Sequence, residues 1–408
     1  MKKKFLILGF LALTTSLTIT SCSNDDSFEN QQNKESVVTL SFTGENIAEY
    51  KSLNIQILEI NTGITTNTLI ENKNAYSLQL PKGSYKFIVT GIVKTRENEE
   101  IEVASSINYD VTNTVENISM NLYAKQFSND FIIEEVFFVG VKTPEGKAYN
   151  ASKYFKITNN TDKVLYADKL LILQSEFLTS VNNNVTPYDL NSYFPVKGVM
   201  LLPGTGAEYP VQPGDFIVIA DNAINHNALN INAFNLENAD FEFPNNNPTL
   251  GNVDNPAVPN AQVIFTTMTF NMIFLHNSGV EAYAVARFPE GENENTFLEN
   301  YKYNYSYTNT AGNVTSKSVL MVPNSWILDG QNNGNSDKLL QLLMSPSIDA
   351  SYTGIGTTYQ NSDRFGKSVR RKVIGQTSNG KNVYKDTNNS AVDFIRNSEP
   401  SLRNGIVH

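Results

Sequence analysis

The 408 residues hold a single cysteine, Cys22. One thiol closes no internal disulfide and builds no zinc cluster, so the fold must stand on packing and hydrogen bonding alone. The residues around Cys22 give that thiol another use. Lys2, Lys3 and Lys4 form a positive n-region, Phe5 to Leu17 an apolar run, and Thr20-Ser21-Cys22 a small-residue cleavage site ending in cysteine. The run is about a dozen residues, too short to cross a ~30 Å hydrocarbon core as a permanent helix. Residues 1–21 therefore read as a cleaved lipoprotein signal peptide, with Cys22 as the lipid-bearing first residue of the mature chain. Residues 22–35 carry one aromatic side chain and no hydrophobic period, which is the composition of a disordered tether.

Apolar residues make up 40% of the chain, enough for real cores, and the length exceeds what one core usually serves. The net charge of -10 leaves no basic surface for phosphate, which argues against nucleic acid as a partner. Charged residues are only 18% of the chain, so amides and hydroxyls supply much of the polarity. Such surfaces suit turns and hydroxylated ligands, and they suit plain solubility equally well.

From Val38 the hydrophobic period is two: Val38, Leu40 and Phe42, then Leu53 and Ile55, then Tyr76, Leu78 and Leu80 alternate with polar neighbours. Pro81-Lys82-Gly83-Ser84 makes a turn into the apolar strand Tyr85 to Gly91, and Ile107-Tyr109-Val111 and Ile118-Met120-Leu122 supply closing strands. Residues 36–125 are assigned to one small β-sandwich. The stretch YSLQLPKGSYKFIVTG resembles the turn and strand of small bacterial surface sandwiches of the carboxypeptidase-regulatory or fimbrillin kind. Ser23-Asn24-Asp25-Asp26-Ser27 is similar to the acidic signal that sends lipoproteins of Bacteroidota-type bacteria to the outer face of the outer membrane, which implies that location here.

A second domain is expected over residues 130–408. FIIEEVFFVG followed by KYFKITNNTDKVLYADKLLIL resembles the opening of lamin-tail-like domains, with Tyr154, Ile157, Asn159 and Asn160 in the motif's places and Asp168-Lys169-Leu170 where that family has Gly-Trp. LLPGTGAEYPVQPGDFIVIAD, then MTFNMIFLHNSGVEAYAVARF, then GKSVRRKV and DTNNSAVDF resemble later elements of the same family, in its order. The same segments also look like a Bacteroidota lipoprotein family of unassigned function. The resemblance implies an immunoglobulin-like β-sandwich, so the expected fold class is all-β, two sandwiches. A minimal sandwich of this kind has about 100 residues. The excess is placed in Asn/Pro-rich insertions at residues 174–200, 222–262 and 290–318, read as long loops, which is where sandwiches usually carry binding function.

The three histidines, His226, His276 and His408, form no metal-spaced pair, and no nucleophile elbow, H-E-x-x-H or phosphate loop occurs. No cofactor is expected. His276 reads as a hydrogen-bonded turn residue. Asp221, Asp240, Glu242 and Asp254 fall together and would serve a two-carboxylate glycan hydrolase, a chemistry with no local signature, but acids are frequent here by chance. Tyr301, Tyr303, Tyr305 and Tyr307 share one face if the segment is extended, with Lys302, Asn304 and Ser306 on the other. Facing outward they would form an aromatic platform for sugars or a partner protein. Facing inward they would cover a core, which is the preferred alternative. Trp326 reads as core packing. Asp386, Asn388, Asn389 and Asp393 offer oxygen ligands of the kind Ca²⁺ takes, although an Asx-stabilised turn accounts for them better. Lys367, Arg370, Arg371 and Lys372 read as a charged, solvated strand edge, with Arg371 on the face of Val369 and Val373.

These readings point to a non-enzymatic, lipid-anchored surface protein that captures an extracellular ligand. A glycan or glycoconjugate is the first choice, and an outer-membrane nutrient transporter is a possible partner by analogy of location and layout. The alternatives are a structural adhesin or fimbria-like subunit that adds strands to neighbours, and the carboxylate hydrolase.

Overall fold

The computed structural model describes residues 35–125, 128–182, 184–244, 254–269, 272–309 and 311–408. The segments expected to be a signal peptide and a tether, with Cys22, lie outside the described residues up to residue 34. The architecture is all-β and built as sandwiches.

The period-two segments at the N-terminal end form two facing sheets. In one, Ser36–Thr43 lies between Ala75–Leu80 and Val115–Asn121, antiparallel to the former and parallel to the latter. In the other, the order is Thr65–Glu71, Ile47–Glu59, Gly83–Thr95, Glu100–Val111 and Tyr123–Ala124. Alternation places Val38, Leu40, Phe42, Leu53, Ile55, Phe87 and Val89 in one core, each at most 1% exposed. That core does not end with residue 125. The late hairpin of Val373–Gln376 and Asn382–Tyr384 adds Ile374 and Val383 to it, and Lys385 Nζ reaches Glu99 Oε2 at 2.6 Å. Gly375 belongs there because a Cβ would stand 2.6 Å from that of Ala124.

The rest of the chain stacks two larger sheets. One runs Phe241–Glu242, Phe216–Ala220, Tyr154–Asn159, Phe131–Phe137, Ser368–Arg371, Phe394–Ser398. The other runs Lys302–Thr308, Val314–Pro323, Tyr193–Leu201, Leu171–Ser175, Ala282–Ala286, Ile327–Asn332, with Gln262–Thr266 also paired to Tyr193–Leu201. Between them lie Phe131, Ile133, Phe155, Ile157, Ile172, Ile219 and Val285.

The segments read as long loops are largely layers of this structure. Residues 174–200 include most of Tyr193–Leu201, a strand inside the second sheet. Residues 222–262 carry Ala223, Phe234, Leu236 and Val258 onto the outer face of the first sheet, against Phe137, Tyr154 and Val218. Residues 290–318 form helix Glu294–Asn300 and a hairpin that widens the second sheet. The reason is burial. Phe131–Phe137 and Tyr154–Asn159 are buried at every position, so both faces of the first sheet need cover, and the Asn-rich segments contain the apolar residues to give it.

Arg371 is also not where a solvated edge would put it. Its strand lies inside the first sheet, and its guanidinium, 1% exposed, contacts Asp329 and stands 3.1 Å from Asp386 and 3.7 Å from Asp393. It further donates to Ile133 O at 2.9 Å and Lys385 O at 3.0 Å. Sharing a face with Val369 is what carries it inward: in a central strand both faces are covered.

Candidate functional site

The tyrosine segment is the strand Lys302–Thr308, and its alternation is real, but the shared face turns inward. Tyr303 and Tyr305 are 3% and 4% exposed, stacked on each other at 5.2 Å and edge-on to Phe177. Their hydroxyls donate to Pro187 O and Glu176 Oε1, and Tyr301 donates to Glu292 Oε1 while its ring meets buried Trp326 at 4.6 Å. Tyr307, half-buried, continues the stack at 6.2 Å from Tyr305. No open ring face remains on Tyr303 or Tyr305, so for these two the platform gives way to core packing.

The oxygen-rich closing turn is likewise engaged internally. Asp393 accepts from Thr387 N and Oγ1 and from Asn389 N, Asn389 caps Ser390–Asp393, and Asn388 Nδ2 donates to Ser347 O. Asp386 faces Arg371 and Ser128. Among the described residues, no three His, Cys, Asp or Glu side chains converge as a cation site.

Of the grouped acids, Glu242 accepts the amides of Ala223 and Asn255, Asp240 accepts that of Val218, and Asp254 accepts Asn260 Nδ2. Asp240 ties the insertion to the sheet, and Glu242 and Asp254 hold the insertion together. His226 anchors it from inside, donating through Nε2 to Asn222 O at 2.9 Å and pairing through Nδ1 with Tyr149 Oη at 2.8 Å. Burial lowers its affinity for a proton. His276 pairs with Ser278 Oγ at 2.8 Å, as a turn residue.

Asp221 and His276 have a second setting in common. At the end of the sandwich where Tyr154–Asn159 begins and Phe216–Ala220 ends, a cleft of about 580 Å³ opens. Tyr149, Asn150, Lys153, Asp221 and Phe243 line it together with Ile273 to Asn277. Lys153 and Asp221 are locked reciprocally: Lys153 N donates to Asp221 Oδ1 at 3.0 Å, and Asp221 N donates to Lys153 O at 2.8 Å. Ser152, just before, adopts φ 60°, a left-handed conformation costly for a residue with a side chain, and it redirects the chain as the lysine enters the cleft wall. Lys153 is 7% exposed, and its ammonium donates to Leu275 O at 2.7 Å. Burial pushes the Asp221 carboxyl up to about 7, partly offset by the ammonium, and lowers the lysine. Across the mouth Asn277 Nδ2 reaches Asn150 Oδ1 at 3.3 Å. A concave site with aromatic walls, convergent amides and two perturbed ionisable groups, Lys153 buried and Asp221 half-buried, has the attributes of a ligand site. Sequence reasoning did not find Lys153, because its partners come from distant segments.

The family described as a protein of unknown function, DUF4876, matches the chain over residues 212–401. A crystal structure of a DUF4876 family protein from Bacteroides thetaiotaomicron is similar over 90% of this chain and 96% of that one, with 24% identity and a TM-score of 0.61. A fimbrial assembly protein from Parabacteroides distasonis aligns over 43% of this chain and 83% of its own at 13% identity, with a TM-score of 0.16. A DUF3823 family protein from Parabacteroides merdae aligns over 35% of this chain and 67% of its own, at 12% identity and a TM-score of 0.17. No curated protein matches the sequence. The first of these similarities extends over nearly the whole chain and shows that the two share a fold.

Proposed function

We propose that this is a surface lipoprotein of the outer membrane, anchored through Cys22, that captures an extracellular ligand in the cleft at the end of the second sandwich. The ligand class is a glycan or glycoconjugate, and delivery to a nutrient transporter is the cellular role. The cleft itself carries the reading. Asn150, Asn277, Tyr149 and His276 supply the short polar groups that hydroxyls need, and Phe243 and Phe274 supply apolar wall. Capture without conversion is favoured because Asp221 is the one carboxylate among the described residues lining the cleft, whereas the carboxylate hydrolase takes two. The lamin-tail-like reading of residues 130–408 belongs with this proposal, its support being the order of the matching segments. The test is a glycan array probed with full-length protein in detergent, wild type beside Asn277→Ala and Tyr303→Phe. Binding lost in the folded Asn277 variant and kept in the Tyr303 variant supports the cleft; the reverse pattern, or no binding by wild type, sinks it.

The strand-adding adhesin remains the second reading, and one observation favours it. Thr65–Glu71 is the outermost strand of its sheet, paired on one side only, with Leu69 61% exposed and Ile64 beside it 66% exposed. An open apolar edge is what strand addition uses. Concentration-dependent assembly that Leu69→Lys abolishes would support it.

A further inference from the structure

Resting on the capture reading, we infer that the cleft selects an acidic sugar, a glycan bearing one carboxylate, and that Lys153 Nζ is the group that receives it. Three features converge on that atom.

The first is incomplete use of the ammonium. It has three N–H donors, and the only described acceptor within hydrogen-bond distance is Leu275 O. The second is placement. The side chain lines the open cleft, and the backbone before it holds Ser152 in a left-handed conformation, with Ser152 Oγ buried and without a protein partner. Strain of this kind persists where the surroundings impose it, and it clusters at ligand sites.

The third is charge balance. The charged and titratable groups around Lys153 are Asp221 from the end of Phe216–Ala220, Tyr149 from Ala148–Tyr149 and His276 in the same cleft lining, and Glu281 at longer range. Glu281 is already held by Lys197, Gln174 and Tyr283. Asp221 is the group that competes with an incoming anion, and burial makes it readily neutralised near pH 7. A monoanion is therefore accommodated by proton uptake at Asp221. A phosphate monoester, which carries close to two negative charges, would bring one more than the site can balance. The amides of Asn150 and Asn277 at the mouth then meet the uncharged hydroxyls of the same sugar.

The experiment titrates full-length protein in detergent, by calorimetry, with galacturonic acid, which carries one carboxylate, and with its methyl ester, which keeps the sugar and removes the charge. Wild type is expected to bind the acid about tenfold or more tightly than the ester, as one charge-assisted hydrogen bond supplies. In Lys153→Met the advantage of the acid over the ester is lost. Lys153→Gln, which keeps a donor for Leu275 O, gives the same result should the methionine variant not fold. The acid preference of wild type weakens as pH rises through about 7, and in Asp221→Asn the preference no longer changes with pH, which assigns the effect to Asp221. Equal affinity for acid and ester, or a preference that survives in both folded lysine variants, overturns the inference and leaves capture in the cleft standing. Failure of both forms to bind overturns the inference together with the reading beneath it.

Discussion

Arg371→Leu is the perturbation with the sharpest expected effect on the second sandwich. The wild-type guanidinium is buried against Asp329, Asp386 and Asp393 and caps two backbone carbonyls, those of Ile133 and Lys385. It also lies over the Phe394 ring, 4.6 Å from its centroid. Leucine keeps most of the volume and removes every one of these polar contacts. Breaking a buried ion pair by deleting one partner costs about 3–5 kcal/mol, chiefly because the remaining charge is stranded. Summing the individual hydrogen bonds on top would count the same loss twice, so about 4 kcal/mol is the expected total. With a urea dependence of about 3 kcal/mol per molar, the unfolding midpoint moves down by roughly 1–1.5 M. Urea leaves electrostatics unscreened, and the sole tryptophan, Trp326, is buried in this unit, so its fluorescence follows the relevant transition. Arg371→Lys should recover part of the loss, since a point charge serves one carboxylate but lacks the fork. Adding Asp329→Asn to Arg371→Leu should also recover part, by removing the stranded charge. A midpoint shift below about 0.3 M for Arg371→Leu would refute the reasoning, because it would mean that water solvates the carboxylates in place of the arginine.

Glu116 accepts the amides of Thr112 and Asn113 and the hydroxyl of Tyr109, which hold its carboxyl down at about 2 against an ordinary 4.5. A depressed acid stabilises the fold above its unfolded value and loses that contribution as pH falls towards the folded one. Acid unfolding of the first sandwich, followed by far-ultraviolet circular dichroism, should therefore steepen between about 4.5 and 2 in wild type and flatten in Glu116→Gln. Phe234→Ala, which uncovers Phe137 and Tyr154, should cost about 3–5 kcal/mol by the Trp326 signal; an effect under 1 kcal/mol would show that residues 222–262 do not seal the sheet. Gly375→Leu cannot fit beside Ala124, and should free the hairpin of residues 373–384 to proteolysis; unchanged protection would count against its docking on the first sandwich.

The strands of the first sandwich were legible because one face of each is wet, so hydrophobicity alternates as the pleat does. In the second unit that rule loses force. Tyr154–Asn159 reads Tyr-Phe-Lys-Ile-Thr-Asn, yet all of it is buried, with Lys156 Nζ held by Glu134 Oε1 at 2.8 Å and Thr158 donating to Glu134 Oε2 at 2.6 Å. Polar letters in such a strand mark internal networks, and they look the same as solvent-facing ones until the covering layer is known. The covering layer was hidden for a related reason: Phe234 and Leu236 sit among asparagines, and their apolar content is too dilute to register as a period.

The tyrosine strand and the cleft show how parity and depth separate. Parity, the sharing of a face, follows from the period of two and holds for Tyr303 with Tyr305 and for Arg371 with Val369. Depth depends on which strand ends up central and what packs above it, and that is decided by pairings such as Ser368–Arg371 with Phe131–Phe137, more than two hundred residues apart. Lys153 is the extreme case. Its carboxylate partner is 68 residues away and its carbonyl acceptor 122 residues away, so no window of sequence contains the site. The local anomaly is the left-handed Ser152, a conformation that asparagine or glycine would advertise and serine does not. A binding cleft assembled by strand ends is in this sense the least readable part of an all-β chain: its geometry is the sum of long-range register choices, and each of its residues taken alone has an ordinary structural explanation.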